Sequence, residues 1–347
     1  MKRILSLLLA ALMLFALVGC TAEKPADDLN NDNGNNTAET LKFGLGVYAY
    51  VAKATSATSE AEGAGETDVT AAAVLLDKDG KIVKCTLDTI QNKVAFTADG
   101  KCVEAGEFKT KYELGDAYGM KAYGQAPKEW FEQADAFETV VVGKTIDQVK
   151  ALVATGDKGT DEVINAGCTI TIAEFVKAVE KAVANAADSA ATKDDTLQVA
   201  MVSVQSIKDA TAEAAGTNGV DTTIVATALN KDKKVVVASS DVVQSKITFD
   251  AAGVTAVEVN SEIKSKKELG AGYGMAQYGA DLNGDGTVKE WFEQGAAFDA
   301  ALVGKTATEI AALALETGYG VDSLQTAGCT IAVSDMVKAA QKAATVA

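Results

Sequence analysis

An internal repeat constrains this chain more than any other feature of its sequence. ELGDAYGMKAYG begins at Glu113 and returns as ELGAGYGMAQYG at Glu268, which is 155 residues later. KEWFEQ at Lys128 and AGCT at Ala166 return 161 residues later, so the second copy carries a six-residue insertion. Self-similarity of this kind indicates one structural unit that is built twice.

Each copy places strand patterns first and helix patterns second. Val69–Leu76 is apolar and β-branched, and the DKDG and ADGK segments are typical of hairpin turns between short antiparallel strands. Apolar residues then recur at helical spacing in EWFEQADAFETVVV, in IDQVKALV, which Thr145 would cap, and in TIAEFVKAVEKAV. We therefore predict an α+β fold with two tandem copies of a small domain, each an antiparallel β-sheet packed against C-terminal helices. The predicted domains are residues 41–190 (the first repeat) and 196–347 (the second repeat), joined by a polar linker at 191–195.

The first 40 residues have the composition of a leader and a tether. Lys2 and Arg3 precede an apolar run that ends in Leu-Val-Gly-Cys, the order of a secretory signal with a small-residue cleavage site. This tetrapeptide resembles the lipobox of bacterial lipoproteins, in which the cysteine is lipidated and becomes the N-terminus. We expect residues 1–20 to be a signal peptide, Cys20 to carry the lipid, and residues 21–40 to be a disordered tether. A secreted protein without a lipid is the alternative.

Charge and composition exclude several classes of function. Without the two basic residues of the leader, 30 basic side chains face 48 acidic ones, which gives a net charge of −18. Such a charge argues against nucleic acid and anionic lipid surfaces as partners. The chain has no histidine, which excludes Ser-His-Asp and Cys-His catalysis and histidine-ligated metals. Redox chemistry would therefore depend on a bound cofactor.

The two AGCT segments are the strongest candidates for a ligand site. Each lies between a polar loop and a predicted helix, where glycine lets the backbone approach a ligand and the first helical amides are unpaired. Such a position favours a phosphate, with Thr169 and Thr330 beside it. The alternative is that Thr169, or Thr171 two residues later, only caps the helix.

The order of these segments resembles the extracytoplasmic FMN-binding domain family, which occurs in RnfG/NqrC-type subunits and in surface flavoprotein lipoproteins. DGKI at Asp79, ELGDAYGMK at Glu113, VGKT at Val142 and AGCT at Ala166 follow in the family's order, and the second repeat keeps most of them. The resemblance implies that a flavin transferase attaches FMN through its phosphate to the threonine of each AGCT. The sequence departs from the family's motif in each copy. Alanine replaces Ser/Thr at Ala166 and Ala327, and cysteine replaces alanine at Cys168 and Cys329. The nearest upstream acids, Asp161 and Asp322, lie eight residues before the threonine instead of six.

The resemblance also implies a role. The protein would be a lipid-anchored carrier of electrons on the outer face of the cell membrane, rather than an enzyme, with redox proteins or a quinone-linked membrane donor as partners. The alternative is a cofactor-free surface lipoprotein that binds a peptide, a metal or a cell-wall component.

The Gly/Tyr loops (residues 113–124 and 268–279) are a second group of candidate contacts. Glycine admits a flat ring, and tyrosine or methionine can pack against it, although a purely structural loop fits these residues as well. The residues that we expect at the cofactor are Thr169, Thr330, Gly167, Gly328, Cys168, Cys329, Glu113, Gly115, Tyr118, Gly119, Met120, Glu268, Gly270, Tyr273, Gly274 and Met275.

Two further features allow weaker predictions. Cys85 and Cys102 occur in the first repeat alone, which suggests a disulfide outside the cell, with two free thiols as the alternative. In the insertion, Asp281, Asn283 and Asp285 resemble the start of a calcium loop. A polar turn is the better interpretation there, because Phe292 stands where the loop needs a glutamate.

Overall fold

The computed structural model describes residues 39–278 and 288–345. Cys20, most of the expected tether and the calcium-like residues Asp281, Asn283 and Asp285 lie outside these ranges. The described chain has antiparallel sheets and helices, so the α+β class is confirmed. None of its helices has both the length and the apolar character that are needed to cross a membrane.

The elements follow the predicted order of strands and then helices, twice. The strands are β1 (Thr40–Thr55), β2 (Gly63–Leu76), β3 (Ile82–Phe96), β4 (Cys102–Val103), β5 (Ala187–Thr192), β6 (Thr196–Lys208), β7 (Gly216–Leu229) and β8 (Val235–Phe249). The α-helices are α1 (Lys111–Leu114), α2 (Met120–Gly124), α3 (Trp130–Val141), α4 (Ile146–Lys150), α5 (Asp161–Ala166), α6 (Ala173–Ala184), α7 (Lys266–Leu269), α8 (Met275–Tyr278), α9 (Trp291–Leu302), α10 (Ala307–Ala311), α11 (Asp322–Thr326) and α12 (Ser334–Ala343). Thr145 caps α4, as the sequence predicted, and it forms a capping box with Gln148.

The strands form two antiparallel sheets, ordered β4-β3-β2-β1-β5 and β6-β7-β8. One prediction was wrong here, because the expected short strands around residues 82–96 are one continuous strand, β3. Polar residues at its centre do not break it, since they have partners. Gln91 donates to Asp68 at 3.1 Å, and Asn92 donates to Thr222 of the other sheet at 2.8 Å.

The two sheets share a core. Alternate residues of β1, including Phe43 and Leu45, point toward Met201 and Ile224 of the other sheet and are buried with them. The opposite face of each sheet packs on the helices of its own repeat. The layers are therefore helix, sheet, sheet, helix, and the described residues form one compact unit.

The join between the repeats is partly regular structure. β5 pairs with β1, where Phe43 lies opposite Ala187, and it extends to Thr192 inside the expected linker. A turn follows in which the Thr192 amide donates to Asp195 at 2.7 Å. The join thus connects the outer edge of one sheet directly to the first strand of the other.

Helix α6 lies unusually close to β1 because two glycines face it. A Cβ on Gly44 would stand 2.0 Å from the carbonyl oxygen of Ala182, and one on Gly46 would stand 2.2 Å from that of Ala178. This contact fixes α6, and with it the preceding AGCT segment, against the sheet.

Candidate functional site

The AGCT threonines are held by a buried glutamine that the sequence analysis did not single out. Gln133 Oε1 accepts hydrogen bonds from the backbone N–H of Thr169 at 2.9 Å and from its hydroxyl at 3.0 Å. In the second repeat, Gln294 Oε1 accepts the same two bonds from Thr330 at 2.8 and 3.0 Å. Gln133 lies on α3 and Gln294 lies on α9, so each glutamine fixes the threonine hydroxyl of its repeat against that helix.

Neither threonine caps the following helix. The N-cap residues of α6 and α12 are Ile172 and Val333, and no side chain bonds the first turn of either helix. The placement of Thr169 at the helix start was therefore wrong, and Thr171 is not a cap either. The segment instead leaves the glycine turn, and three residues separate the threonine from the first residue of the helix.

Each AGCT glycine lies against a lysine. Gly167 and Gly328 have φ values of 107° and 100°, which favour glycine. A Cβ on Gly167 would stand 2.2 Å from Lys128 Nζ, and a Cβ on Gly328 would stand 2.0 Å from Lys289 Nζ. Both lysines open the repeated KEWFEQ segment. An ammonium group therefore lies beside each AGCT turn, in a chain whose overall charge is strongly negative.

The Gly/Tyr loop contributes one contact to this centre. Gln133 Nε2 approaches Met120 Sδ at 3.8 Å, and Gln294 Nε2 approaches Met275 Sδ at 3.3 Å. The buried carboxylate of Glu290 accepts from the Met275 amide at 3.0 Å and fixes the loop to α9. Met120 and Met275 therefore contact the same glutamines that hold the threonines.

The tyrosines of these loops lie beside a cation instead. Lys111 Nζ is 5.0 Å from the centre of the Tyr118 ring, and Lys266 Nζ is 4.9 Å from that of Tyr273. The same ammonium of Lys266 lies 5.5 Å from the centre of the Trp291 ring. Contacts of this kind hold a lysine over aromatic faces.

A cavity of about 450 Å³ opens beside Thr330 in the second repeat. Its walls include two aromatic rings, two thioethers, three charged side chains and the threonine itself. The residues of these kinds are Trp291, Tyr319, Met275, Met336, Lys266, Asp221, Asp335 and Thr330, and Gln294 lines the cavity as well. Trp291 is both buried and part of this wall.

The cysteines and glutamates that were predicted to contact the cofactor lie away from the cavity. Cys168 and Cys329 are fully buried in the helix-facing cores, and burial raises the pKa of each thiol to about 11. They fill space behind the threonines and do not line the cavity. Glu113 and Glu268 are cap residues whose carboxylates pair with Lys342 and Lys181 of the opposite repeat.

The remaining loop glycines serve the turns. Gly115 and Gly270 end short helices with φ near 51° and 52°, and a Cβ on either would meet nothing within 4 Å. Gly119 and Gly274 each have φ of 80° at the next turn. Positive φ accounts for these four glycines without a ligand.

The expected disulfide is contradicted. Cys85 and Cys102 are free thiols. Cys102 pairs with Phe96, which is 11 residues from Cys85 along β3, or about 36 Å at the usual rise of a strand. A disulfide needs Cα atoms within about 7 Å. The continuity of β3 separates the two residues.

Buried carboxyls form a second group of titratable side chains in the first repeat. Burial raises the pKa of Asp88 to about 7 and that of Glu138 to about 8. Both line a cavity of about 790 Å³ between the first repeat and β6. Among the described residues, no cluster of three or more acidic or cysteine side chains has a geometry that could hold a metal.

The sequence did contain a signal for the residues that were missed. Gln133 and Lys128 belong to KEWFEQ, which recurs unchanged around Gln294 and Lys289. A surface helix does not need an identical glutamine and lysine in both copies. Their retention is explained by the contacts to the AGCT turn.

Comparisons with known proteins show a partial similarity to a curated relative. No protein-family model matches this chain, and no solved structure matches it either. The chain is similar to a chlorophenol reductase of Desulfitobacterium hafniense, with 32% identity over 126 residues, which is 33% of this chain. The chain covers 38% of that relative's length.

Proposed function

We propose that this protein is a lipid-anchored flavoprotein that carries electrons through FMN on the outer face of the cell membrane. The cavity beside Thr330 is the observation that carries the proposal, since it joins the threonine implied by the family resemblance to an aromatic wall. Its volume of about 450 Å³ lies within the range of roughly 300–1,000 Å³ that is usual for cofactor sites. The reductase name of the Desulfitobacterium relative is compatible with a redox role.

The residues of the cavity fit the chemistry of FMN. Lys266 on the cavity wall supplies positive charge for a phosphate, and Lys289 lies against Gly328 beside the AGCT turn. Asp221 and Asp335 also line the cavity, so the phosphate would have to lie on the side of the lysines. Trp291 and Met275 supply surfaces that pack against a flat ring. When bound, FMN supplies electron transfer, which no side chain of this histidine-free protein provides.

Gln294 would orient the threonine for attachment. Because the hydroxyl of Thr330 donates to Gln294 Oε1, its lone pairs are directed away from the helix. A phosphoester at this oxygen would replace the O–H and lose that bond, while the Thr330 amide would keep its own bond to Gln294. A flavin transferase is therefore an expected partner, together with redox proteins or a quinone-linked donor in the membrane.

The tandem-domain arrangement and the anchor belong to this proposal. Two units of one ancestral type, fused through β5 and a shared core, would be held at the membrane by a lipid on Cys20.

A cofactor-free binding lipoprotein is the second candidate. It is favoured by the alanine and cysteine that replace the family's residues in both AGCT motifs. The test is to produce the full chain with a flavin transferase and to measure its intact mass and visible absorption. An added FMN and a flavin spectrum support the first function, and an unmodified, colourless protein that also fails to bind free FMN overturns it.

A further inference from the structure

The two repeats differ at the space beside the threonine. In the second repeat, Asp221 of β7 and Asp335 of α12 are both walls of the 450 Å³ cavity. Their counterparts in the first repeat are Asp68 and Glu174 at the matching positions of β2 and α6. The side chains between these two positions decide whether the space beside the threonine is open in each repeat.

In the first repeat this space is crossed by a tyrosine. Tyr50 lies opposite Asp68 in the β1–β2 pairing, and its hydroxyl donates to Glu174 Oε1 at 2.5 Å. The side chain therefore reaches from the sheet to α6. Tyr48 stacks on it with ring centres 5.6 Å apart, and Lys177 donates to the Tyr48 hydroxyl at 2.8 Å.

The second repeat has valines at the same strand positions. Val204 lies opposite Asp221, as Tyr50 lies opposite Asp68, and Val202 corresponds to Tyr48. A valine is too short to reach Asp335 from the sheet, and Val204 is 43% exposed. The wall between sheet and helix is therefore open on this side.

A second difference between the repeats lies at the residue that packs on the tryptophan. Phe175 in α6 packs edge-on against Trp130, with ring centres 5.6 Å apart, and it is 3% exposed. Its counterpart is Met336, which lines the cavity beside Trp291. Both indoles are buried, with Trp130 3% and Trp291 2% exposed. They differ in their neighbours, because Trp130 packs on a ring whereas Trp291 lines the cavity together with the thioether of Met336. A separate cavity of about 420 Å³ lies near Lys111 and Tyr118 in the first repeat, but Thr169 and Trp130 are not among its walls.

We propose that the second repeat alone accepts FMN, at Thr330, and that Tyr48, Tyr50 and Phe175 exclude the cofactor from the first repeat. This inference rests on the proposed function and makes it more specific. The first repeat keeps the threonine, the glutamine and the lysine of the site, yet its aromatic side chains occupy the volume that a flavin needs. Its part in the protein is to cover one face of the second repeat's sheet.

The test is to count FMN groups on the full chain produced with a flavin transferase, by intact mass and peptide mapping. One FMN on the peptide that contains Thr330 is expected. Thr330→Val should abolish the added mass, and Thr169→Val should leave it unchanged. Two FMN groups per chain, or one on Thr169, would overturn the inference while the proposed function would stand.

An opened first repeat provides the complementary measurement. The triple variant Tyr48→Val, Tyr50→Val, Phe175→Met introduces the residues of the second repeat and should bind a second FMN. Titration of the chain with free FMN, followed by quenching of flavin fluorescence, reports the number of sites without the transferase. The expected count rises from one to two, and Tyr50→Phe, which loses only the bond to Glu174, serves as the control.

Folding of each variant is checked by its unfolding midpoint. If the triple variant does not fold, Trp291→Phe and Trp130→Phe decide the question in otherwise unchanged chains. Trp291→Phe should weaken the quenching of bound flavin fluorescence, and Trp130→Phe should leave it unchanged. An equal effect of both would contradict the asymmetry, and a chain that binds no FMN in any form would overturn the proposed function together with this inference.

Discussion

Lys342 in α12 forms an ion pair with Glu113 of the opposite repeat. The same contact occurs in reverse, because Lys181 in α6 pairs with Glu268. These residues occupy matching positions in the two copies, so the repeats meet through a reciprocal contact of the kind found in twofold dimers.

The reciprocal ion pairs predict a small, salt-dependent contribution to stability. The lysine of the Lys342–Glu113 pair is 43% exposed at its side chain, so a double-mutant cycle with Lys342→Met and Glu113→Gln should give a coupling of about 0.2–1 kcal/mol. The coupling should decrease in high salt. The Lys338–Asp335 pair, which lies within one helix, is the control, and a coupling of several kcal/mol would contradict the surface location.

Gln133 should be important for stability even without a cofactor. Gln133→Leu removes the acceptor for the amide and hydroxyl of Thr169, and we expect it to lower the free energy of unfolding by about 1–3 kcal/mol. Chemical unfolding of the cofactor-free chain measures this loss. Gln277→Leu, at an exposed position, should change stability by less than about 0.5 kcal/mol, and equal effects of the two would argue against the buried hydrogen bonds.

Gly328→Ala should lower the stability of the fold, mainly through the backbone. Its φ of 100° is unfavourable for other residues, and the new Cβ would also displace the flexible end of the Lys289 side chain, which adds a smaller cost. Gly304→Ala is the matched control, because φ is 80° and nothing lies within 4 Å of its Cβ. We expect Gly304→Ala to cost about 1–2 kcal/mol and Gly328→Ala to cost more, with part of the difference restored by Lys289→Ala. If Lys289→Ala restores no stability to Gly328→Ala, then the contact with this lysine does not explain the difference between the two glycine variants.

Stability should fall as the pH rises from weakly acidic to weakly alkaline values. Asp88 and Glu138 hold their protons in the folded chain up to about pH 7 and 8, whereas in the unfolded chain such groups titrate near about pH 4. The folded state therefore binds more protons between these limits, and the free energy of unfolding decreases with rising pH.

The urea midpoint, measured between pH 5 and 9, tests this expectation. Asp88→Asn with Glu138→Gln should flatten the pH dependence, while Asp79→Asn on the surface should not. A stability that is constant or increases over this range in the unchanged chain would show that the two carboxyls are ionised in the folded state.

The four described cysteines should react in an order set by burial. Cys168 and Cys329 have thiol pKa values near 11 and are buried, so alkylation should reach them only after unfolding. Cys102, which is partly exposed, should react in the native protein. Peptide mapping after alkylation measures each site, and a peptide that links Cys85 to Cys102 would contradict the separation along β3.

Much of the architecture followed from local sequence patterns. Apolar spacing predicted the helices around Phe137, Val149 and Phe175, and Thr145 was a local signal for the start of α4. The hairpin turns were equally local. The continuity of β3 was missed because the partners of its central polar residues, Gln91 and Asn92, lie far away in the sequence.

The sequence by itself determined the repeat, the α+β class and the segment in which the site would lie, because these depend on the order and spacing of nearby residues. Tertiary structure decided that the two sheets share a core, that Gln294 holds Thr330, and that Glu113 faces the other repeat. It also decided that Tyr50 reaches Glu174 in one copy while Val204 leaves the same space open in the other. The physical reason is that each of these contacts joins side chains from separate elements, so burial and hydrogen bonding between them arise only when the sheets and helices are packed.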